Sequence, residues 1–269
     1  EYLKSLGNEV EYFGMADERN CVGNRVEAYT ENIDFHKKSL KHITYPFKII
    51  YSVNARKQIR KVLSDFKPDV VHLNNFNYQL TPSIIYEIKK HNIPIVYTAH
   101  DVQLVCPNHK LKNDYTDGLC RKCDGGKYFE CVKNNCVHSS KIRSILGAVE
   151  AWYYKLRHTY KMIDLTVCPS EFMEKEISRN DDINGRTVTM YNFIDEIKPL
   201  GAECENYVLY FGRYSEEKGI SNLVKAAKKL SNIPFVFAGK GELENEVNSA
   251  DNIKNVGFKT GDELRNIIE

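Results

Sequence analysis

The stretch YVLYFGRYSEEKGISNLVKAAKKL, Tyr207–Leu230, decides the fold. It opens as an apolar run, Tyr207–Phe211, fit for a buried strand, and closes as an amphipathic helix, Gly219–Leu230. Between them stand Gly212, Arg213 and the pair Lys218-Gly219. A strand that turns into a helix leaves free backbone N–H groups and the positive end of a helix dipole beyond the sheet edge. A cation there opposes the dipole and is unfavourable without an anion. Arg213 is suited to fork two bonds to a pair of phosphate oxygens, and Lys218 adds a point charge. Gly212 and Gly219 let the backbone come close, so the stretch reads as a diphosphate site. Where a nucleoside diphosphate leaves in a transfer reaction, such cations stabilise the charge that develops on it. The competing reading is a surface arginine paired with Glu216 or Glu217 and a solvated lysine at a helix start.

Working outward, AGKGELEN (Ala238–Asn245) repeats the pattern of strand, Gly-x-Gly and helix, although a lone Gly-x-Gly is often only a tight turn. Further strands are expected at Glu9–Gly14, Asp69–Asn75, Pro94–Asp101, Asp164–Ser170, Thr187–Asp195, Pro234–Gly239 and Ile253–Phe258. Helices are expected at Asn54–Phe66, at Thr81–Asn92 with a threonine cap, at about Ser140–Tyr160, after a Ser170 cap, near Glu242–Ser249 and from Asp262. Alternating strands and helices imply parallel sheets covered on both faces, with ligands beyond the carboxyl ends of the strands. The polar segment from Glu196 to Asn206 reads as a linker, giving domains 1–196 and 207–269. Two domains also suit 269 residues at roughly 100–200 per domain. The chain is 42% apolar and 28% charged with a net charge of +2, which suits a soluble globular protein and gives no footprint for nucleic acid. No apolar run approaches the roughly 20 residues of a spanning helix. Both ends fall inside helical patterns, so the chain is expected to be a piece of a longer protein.

Three segments of the second half, VLYFGRYSEEKGISNLVKAAKKL, FVFAGKGELENEV and NVGFKTGDELRNII, resemble the donor domain of glycosyltransferase family 4. In the first half PDVVHLNN, TPSIIYEIKKHNIPIVYTAHDVQLVCPNHKL, DLTVCPSEFMEKEI and MYNFID resemble that family's acceptor domain. The resemblance implies a GT-B fold: two Rossmann-like, doubly wound domains facing across a cleft. It implies transfer of a sugar from a nucleotide-sugar donor with retention of configuration and without a catalytic metal. By the same resemblance Arg213 and Lys218 are the donor-phosphate cations, and Gly239 and Gly241 form the turn beside the nucleotide. His100 is the histidine that reaches towards the transferred sugar, with Asp101 after it. Asn192 falls where many members read Asn-Gly; Phe193 stands in place of the glycine. The family's glycine-rich first loop belongs before Glu1 and its pair of donor-binding glutamates after Glu269, so this piece alone is not expected to be a competent enzyme. From the residues alone, His100 beside Asp101 reads equally as a structural histidine bonded to its neighbour, and His72 as a weaker site candidate.

Five of the eight cysteines fall within Cys106–Cys136. The spacing Cys120-x2-Cys123-x7-Cys131-x4-Cys136 offers a tetrahedral structural zinc site inside a Cys-rich insertion, with Cys106, His109 and His138 as spare ligands. A reduced or disulfide-stapled loop is the alternative; nucleotide-sugar enzymes work in the reducing cytoplasm, which disfavours disulfides. The helix at Ser139–Lys161 carries five cations against one acid, Glu150, and an apolar stripe. It reads either as a membrane-surface helix or as a core helix with a solvated basic face. The expected partners are a nucleotide sugar, a glycan or lipid-linked acceptor and a membrane surface. The expected place is the cytoplasm, peripheral on the inner face of the membrane, in cell-surface polysaccharide synthesis. Two rival readings are a sugar-nucleotide epimerase on the same fold and a non-catalytic, zinc-stapled module that binds glycan or an anionic surface.

Overall fold

A computed structural model describes residues 2–32, 45–77, 79–113, 118–193 and 206–268. The chain divides into two compact units, Glu1–Phe193 and Ile194–Glu269. The expected linker lies outside the described residues except for Asn206.

The first unit runs α1 (Tyr2–Ser5), α2 (Tyr45–Ile50), α3 (Val53–Phe66), β1 (Val71–Leu73), α4 (Ser83–Lys90), β2 (Ile95–Thr98), α5 (Phe129–Lys133), α6 (Lys141–Leu156), β3 (Leu165–Cys168), α7 (Glu171–Ile177) and β4 (Thr187–Thr189). Its four strands pair in parallel in the order β1-β2-β3-β4. The second unit runs β5 (Val208–Arg213), α8 (Ile220–Lys229), β6 (Phe235–Lys240), α9 (Glu244–Val247), β7 (Ile253–Asn255) and α10 (Gly261–Ile268), with a parallel sheet β5-β6-β7. Parallel neighbours need a crossover between them, and the intervening helices supply it. All strand C-termini of a sheet therefore meet at one edge, where the candidate residues gather.

Local chemistry explains the elements. Ser52, Ser140 and Ser170 cap α3, α6 and α7, each hydroxyl accepting from a backbone N–H three residues on. Ala55, Ile59 and Leu63 turn one face of α3 into the core, where they join Ile84, Ile85 and Ile88 of α4 and Ile95 and Tyr97 of β2. The charged contact between these helices is buried. Glu87 on α4 is 2% exposed and accepts from Arg60 at 2.6 Å and Arg56 at 2.8 Å. The bond from Arg60, against the opposing effect of burial, holds the Glu87 carboxyl down to about 2. In the second unit Ile220, Val224 and Ala227 of α8 pack on Phe235 and Phe237 of β6.

Three local expectations are corrected. Glu9–Gly14 joins no ladder; its backbone bonds with 23–30 instead, through Tyr12 N–H to the Gly23 carbonyl (3.1 Å) and Thr30 N–H to the Gly14 carbonyl (3.0 Å). Thr81 does not hold the N-cap position, which falls to Pro82: its φ is +57°, and its hydroxyl accepts from the Ser52 N–H at 3.1 Å and from the Ser83 N–H at 3.4 Å, joining the start of α3 to the start of α4. The long helix stops at Leu156, because His158 turns left-handed (φ +47°) before a short 3-10 turn at Thr159–Met162.

Candidate active site

In the second unit the sheet itself sets the charges side by side. The β5–β6 register aligns Gly212 with Gly239 and Arg213 with Lys240. Arg213 is thus the last residue of the strand rather than the first beyond it. Lys218 ends a single 3-10 turn, Glu216–Lys218, and Gly219 (φ +71°) is the joint into α8. Arg213, Lys218 and Lys240 are exposed. Among the described residues neither Arg213 nor Lys218 pairs with a carboxylate, and Glu216 accepts from the Ser221 hydroxyl at 3.0 Å instead. The Lys240 ammonium lies 5.1 Å from the Phe258 ring centroid. Beside these cations the Ser215 hydroxyl is buried without a hydrogen-bond partner.

Gly239 and Gly241 earn their places by backbone contact. A Cβ at Gly239 would collide with the Gly212 carbonyl oxygen, and one at Gly241 with the backbone of Tyr214. Only glycine lets the two strand-end turns touch in this way. The fully buried Tyr214 braces the pair, donating to Asn255 Oδ1 at 3.0 Å, and burial pushes its hydroxyl up to about 12.

In the first unit the C-terminal edge carries a polar cluster. His100 stands two residues beyond β2, exposed, with Nε2 3.1 Å from Asn74 Oδ1 at the end of β1. His72 Nε2 lies 2.8 Å from the Thr98 hydroxyl; burial, then the neighbouring His100, lowers the His72 pKa. Asp101 faces inward. Its Oδ1 accepts from the Gln103 N–H at 2.9 Å, and its Oδ2 lies 3.3 Å from His109 Nδ1 and 3.4 Å from Asn77 Nδ2. Burial alone would raise the Asp101 carboxyl, but the bonds from His109, Gln103 and Asn77 overcome it and hold the group below its ordinary value. Asp101 is therefore an ionised anchor for the loop after β2, while the exposed imidazole is that of His100. Asn192, exposed after β4, has no side-chain bond among the described residues.

Sequence reasoning missed Asn74, Asn77 and the pairing of His109 with Asp101. The doublet Asn74-Asn75 at a strand end was the available signal. It also missed Glu150 on α6, whose carboxyl burial raises to about 7 against the opposing pull of His109.

The cysteines of 106–136 converge. Cys106, Cys120, Cys123, Cys131 and Cys136 all line one small cavity of about 10 Å³, and no disulfide joins the described cysteines. Among the described residues no three His, Cys, Asp or Glu side chains are already arranged as a metal site. The segment is fastened by a small apolar cluster of Cys123, Tyr128, Cys131 and Ala148, by ion pairs Arg121–Glu176 and Arg179–Asp124, and by Trp152 Nε1 donating to the Gly126 carbonyl at 2.9 Å. The apolar stripe of α6 faces outward: Ser144, Ala148 and Tyr154 form its buried side, whereas Ile142 is 73% and Leu156 80% exposed. No described helix is long and apolar enough to cross a membrane.

Comparison with known proteins extends these observations. The sequence profile described as Glycosyltransferase Family 4 matches residues 1–197, and that described as Glycosyl transferases group 1 matches residues 193–269. A Klebsiella pneumoniae protein described as "Uncharacterized 42.6 kDa protein in cps region" is 25% identical over 194 residues, which are 71% of this chain and 45% of the relative. A glycosyltransferase of known structure from Rickettsia africae ESF-5 aligns with a TM-score of 0.52 at 15% identity, over 96% of this chain and 62% of that one. Anabaena HepE in complex with UDP and glucose aligns with a TM-score of 0.46 at 14% identity, over 86% of this chain and 56% of that one. The chain thus spans less than two thirds of the length of each of these relatives. Its parallel α/β units are those of the GT-B glycosyltransferases, and the chain belongs to glycosyltransferase family 4.

Proposed function

We propose that the protein moves a sugar from a nucleotide-sugar donor to a hydroxyl of a glycan or lipid-linked acceptor, with retention at the anomeric carbon. The observation that carries this reading is the set of cations without a carboxylate partner among the described residues, Arg213 and Lys218, beside Lys240 and the orphaned Ser215 hydroxyl. A diphosphate supplies what each of these groups lacks. In the reaction the acceptor oxygen bonds to the anomeric carbon, the bond from that carbon to the phosphate oxygen breaks, and the nucleoside diphosphate leaves. The acceptor's proton passes to a leaving phosphate oxygen. Arg213 and Lys218 stabilise the negative charge as it grows on the diphosphate. Gly239 and Gly241 keep their turn against that of Arg213, and Asn192 contributes to the donor side.

The first unit takes the acceptor role. His100, exposed beyond β2, contacts the transferred sugar, and Asp101 fixes the loop that carries it. A lipid-linked acceptor fits the outward stripe of α6, where Ile142, Ile145, Val149 and Leu156 are exposed among Lys141, Arg143, Lys155 and Arg157. Apolar side chains flanked by cations suit an anionic bilayer surface. This reading puts the protein on the cytoplasmic face of a membrane, in cell-surface polysaccharide synthesis; the cps-region location of the Klebsiella relative is in keeping with it.

The test is acceptor dependence. A nucleotide-sugar panel is incubated with the complete gene product and lipid-extracted membranes. Transfer of labelled sugar to the lipid fraction, abolished by Arg213→Ala, is expected. An isomerised nucleotide sugar formed without acceptor would overturn the proposal in favour of an epimerase.

A further inference from the structure

The five thiols of the segment between β2 and α6 pose a physical problem. Among its described residues the regular structure is a 3-10 turn at Asp124–Gly126 and the five residues of α5. Its first half packs into the main core through Val102, Leu104, Val105 and Leu111, whereas the stretch from Cys120 to Cys136 has one small apolar cluster of its own. Short segments of this kind need a staple. The cavity the thiols line is about 10 Å³, the space of a single small occupant. Five sulfurs gathered on the wall of one small cavity suit a soft cation, which several of them could ligate together as thiolates.

The hydrogen bonds tell two of the five sulfurs apart. Asn108 donates through Nδ2 to the Lys112 carbonyl at 2.6 Å, and its Oδ1 accepts from the Lys110 N–H at 3.0 Å. Its amide orientation is thereby fixed, so the Cys106 sulfur, 2.9 Å from that Oδ1, must be the donor and keeps its proton. Cys120 Sγ has the opposite pattern, accepting from Asn113 Nδ2 at 3.1 Å, as a metal-bound thiolate does. Two glycines with positive φ, Gly125 (+68°) and Gly126 (+91°), give the turn after the Cys120-x2-Cys123 knuckle its shape.

We propose that Cys120, Cys123, Cys131 and Cys136 hold one structural divalent zinc-class ion, with Cys106 a protonated neighbour that ties this site to the loop carrying Asp101. Four thiolates in tetrahedral array favour zinc. On binding, four S–H bonds break, four sulfur–metal bonds form and four protons pass to solvent. Side-chain rotation draws the sulfurs in from the cavity wall. The link to the acceptor-side loop runs through the chain itself: the His109 N–H donates to the Cys106 carbonyl at 2.9 Å, and the His109 ring meets Asp101 at 3.3 Å.

The test is metal analysis of protein produced with zinc supplied, followed by cobalt exchange. About one zinc per chain is expected, with an intense sulfur-to-cobalt charge-transfer band after exchange. Cys123→Ser and Cys131→Ser should lose the metal, whereas Cys106→Ser and Cys21→Ser should keep it. Should the ligand variants fail to fold, cobalt titration of the unaltered protein after its zinc is stripped by a chelator decides, with about four protons released per ion. Metal-free protein with no cobalt band and fully titratable thiols overturns the proposal. Loss of metal in Cys106→Ser as complete as in Cys123→Ser overturns the ligand assignment.

Discussion

Glu150 should make the first unit lose stability as pH rises through neutrality. The residue sits on α6, only partly exposed, with no hydrogen bond to its carboxyl among the described residues. Burial raises it from 4.5 to about 7, and the charge of His109 is the sole opposing influence; Tyr154 and Tyr160 also lie near it. Its folded-state pKa is raised, so between about 4.5 and 7 the folded state holds a proton that the unfolded chain has released. By linkage, stability is full below that window and falls as pH climbs through it. At about 1.4 kcal/mol per pH unit the interval gives at most roughly 3 kcal/mol, and the residue's partial exposure brings the expectation to about 1–3 kcal/mol. Glu150→Gln keeps the shape and removes the charge. Urea unfolding of both proteins from pH 5 to pH 8 reads the effect, and the only tryptophan, Trp152, is the probe, two residues away on the same helix. The two proteins should differ least at pH 5, and the variant's advantage should grow with pH to about 1–3 kcal/mol at pH 8. Parallel stability curves, or a native protein that gains on the variant towards pH 8, would refute the reasoning.

Two other perturbations test the scaffold. Glu87→Gln leaves Arg56 and Arg60 facing a neutral amide in a buried contact and should cost about 2–4 kcal/mol at pH 7. Because Glu87 is held down to about 2, that contribution should persist to pH 4.5 and fade only as pH falls further; a loss already complete at pH 5 would contradict it. Gly239→Ala forces a Cβ against the Gly212 carbonyl and should cost about 1–3 kcal/mol while weakening diphosphate binding, measured by unfolding and by calorimetry; an unchanged protein would refute the packing argument.

Much of the fold was legible because its signals are local. Strands β2, β3, β5 and β6 are apolar runs closed by turn residues, and serine caps mark α6 and α7 directly. The strand expected at Glu9–Gly14 failed because an apolar-polar alternation does not specify a partner, and here the partner is irregular chain rather than the sheet. Thr81 departed for a related reason: its hydroxyl is shared between the Ser83 N–H at the start of its own helix and the Ser52 N–H, distant in sequence. At the candidate site the strand-end positions of His100 and Arg213 followed from the βα pattern. Their neighbours did not. Lys240 stands beside Arg213 only through the β5–β6 register, and Asn77 and His109 reach Asp101 only through tertiary folding. The outward stripe of α6 was equally hidden, since periodicity identifies an apolar face without saying whether core or solvent meets it.

The central claim is that Arg213 and Lys218 bind the donor's diphosphate. Titration calorimetry of the complete gene product against a panel of nucleoside diphosphates tests it most directly, comparing the native protein with Arg213→Ala and Lys218→Ala. Each charge-assisted contact is worth about 1.5–3 kcal/mol, so each variant should weaken binding by roughly 10- to 100-fold, with the heat signature of other folded regions unchanged. Native-like affinity in both variants would contradict the account.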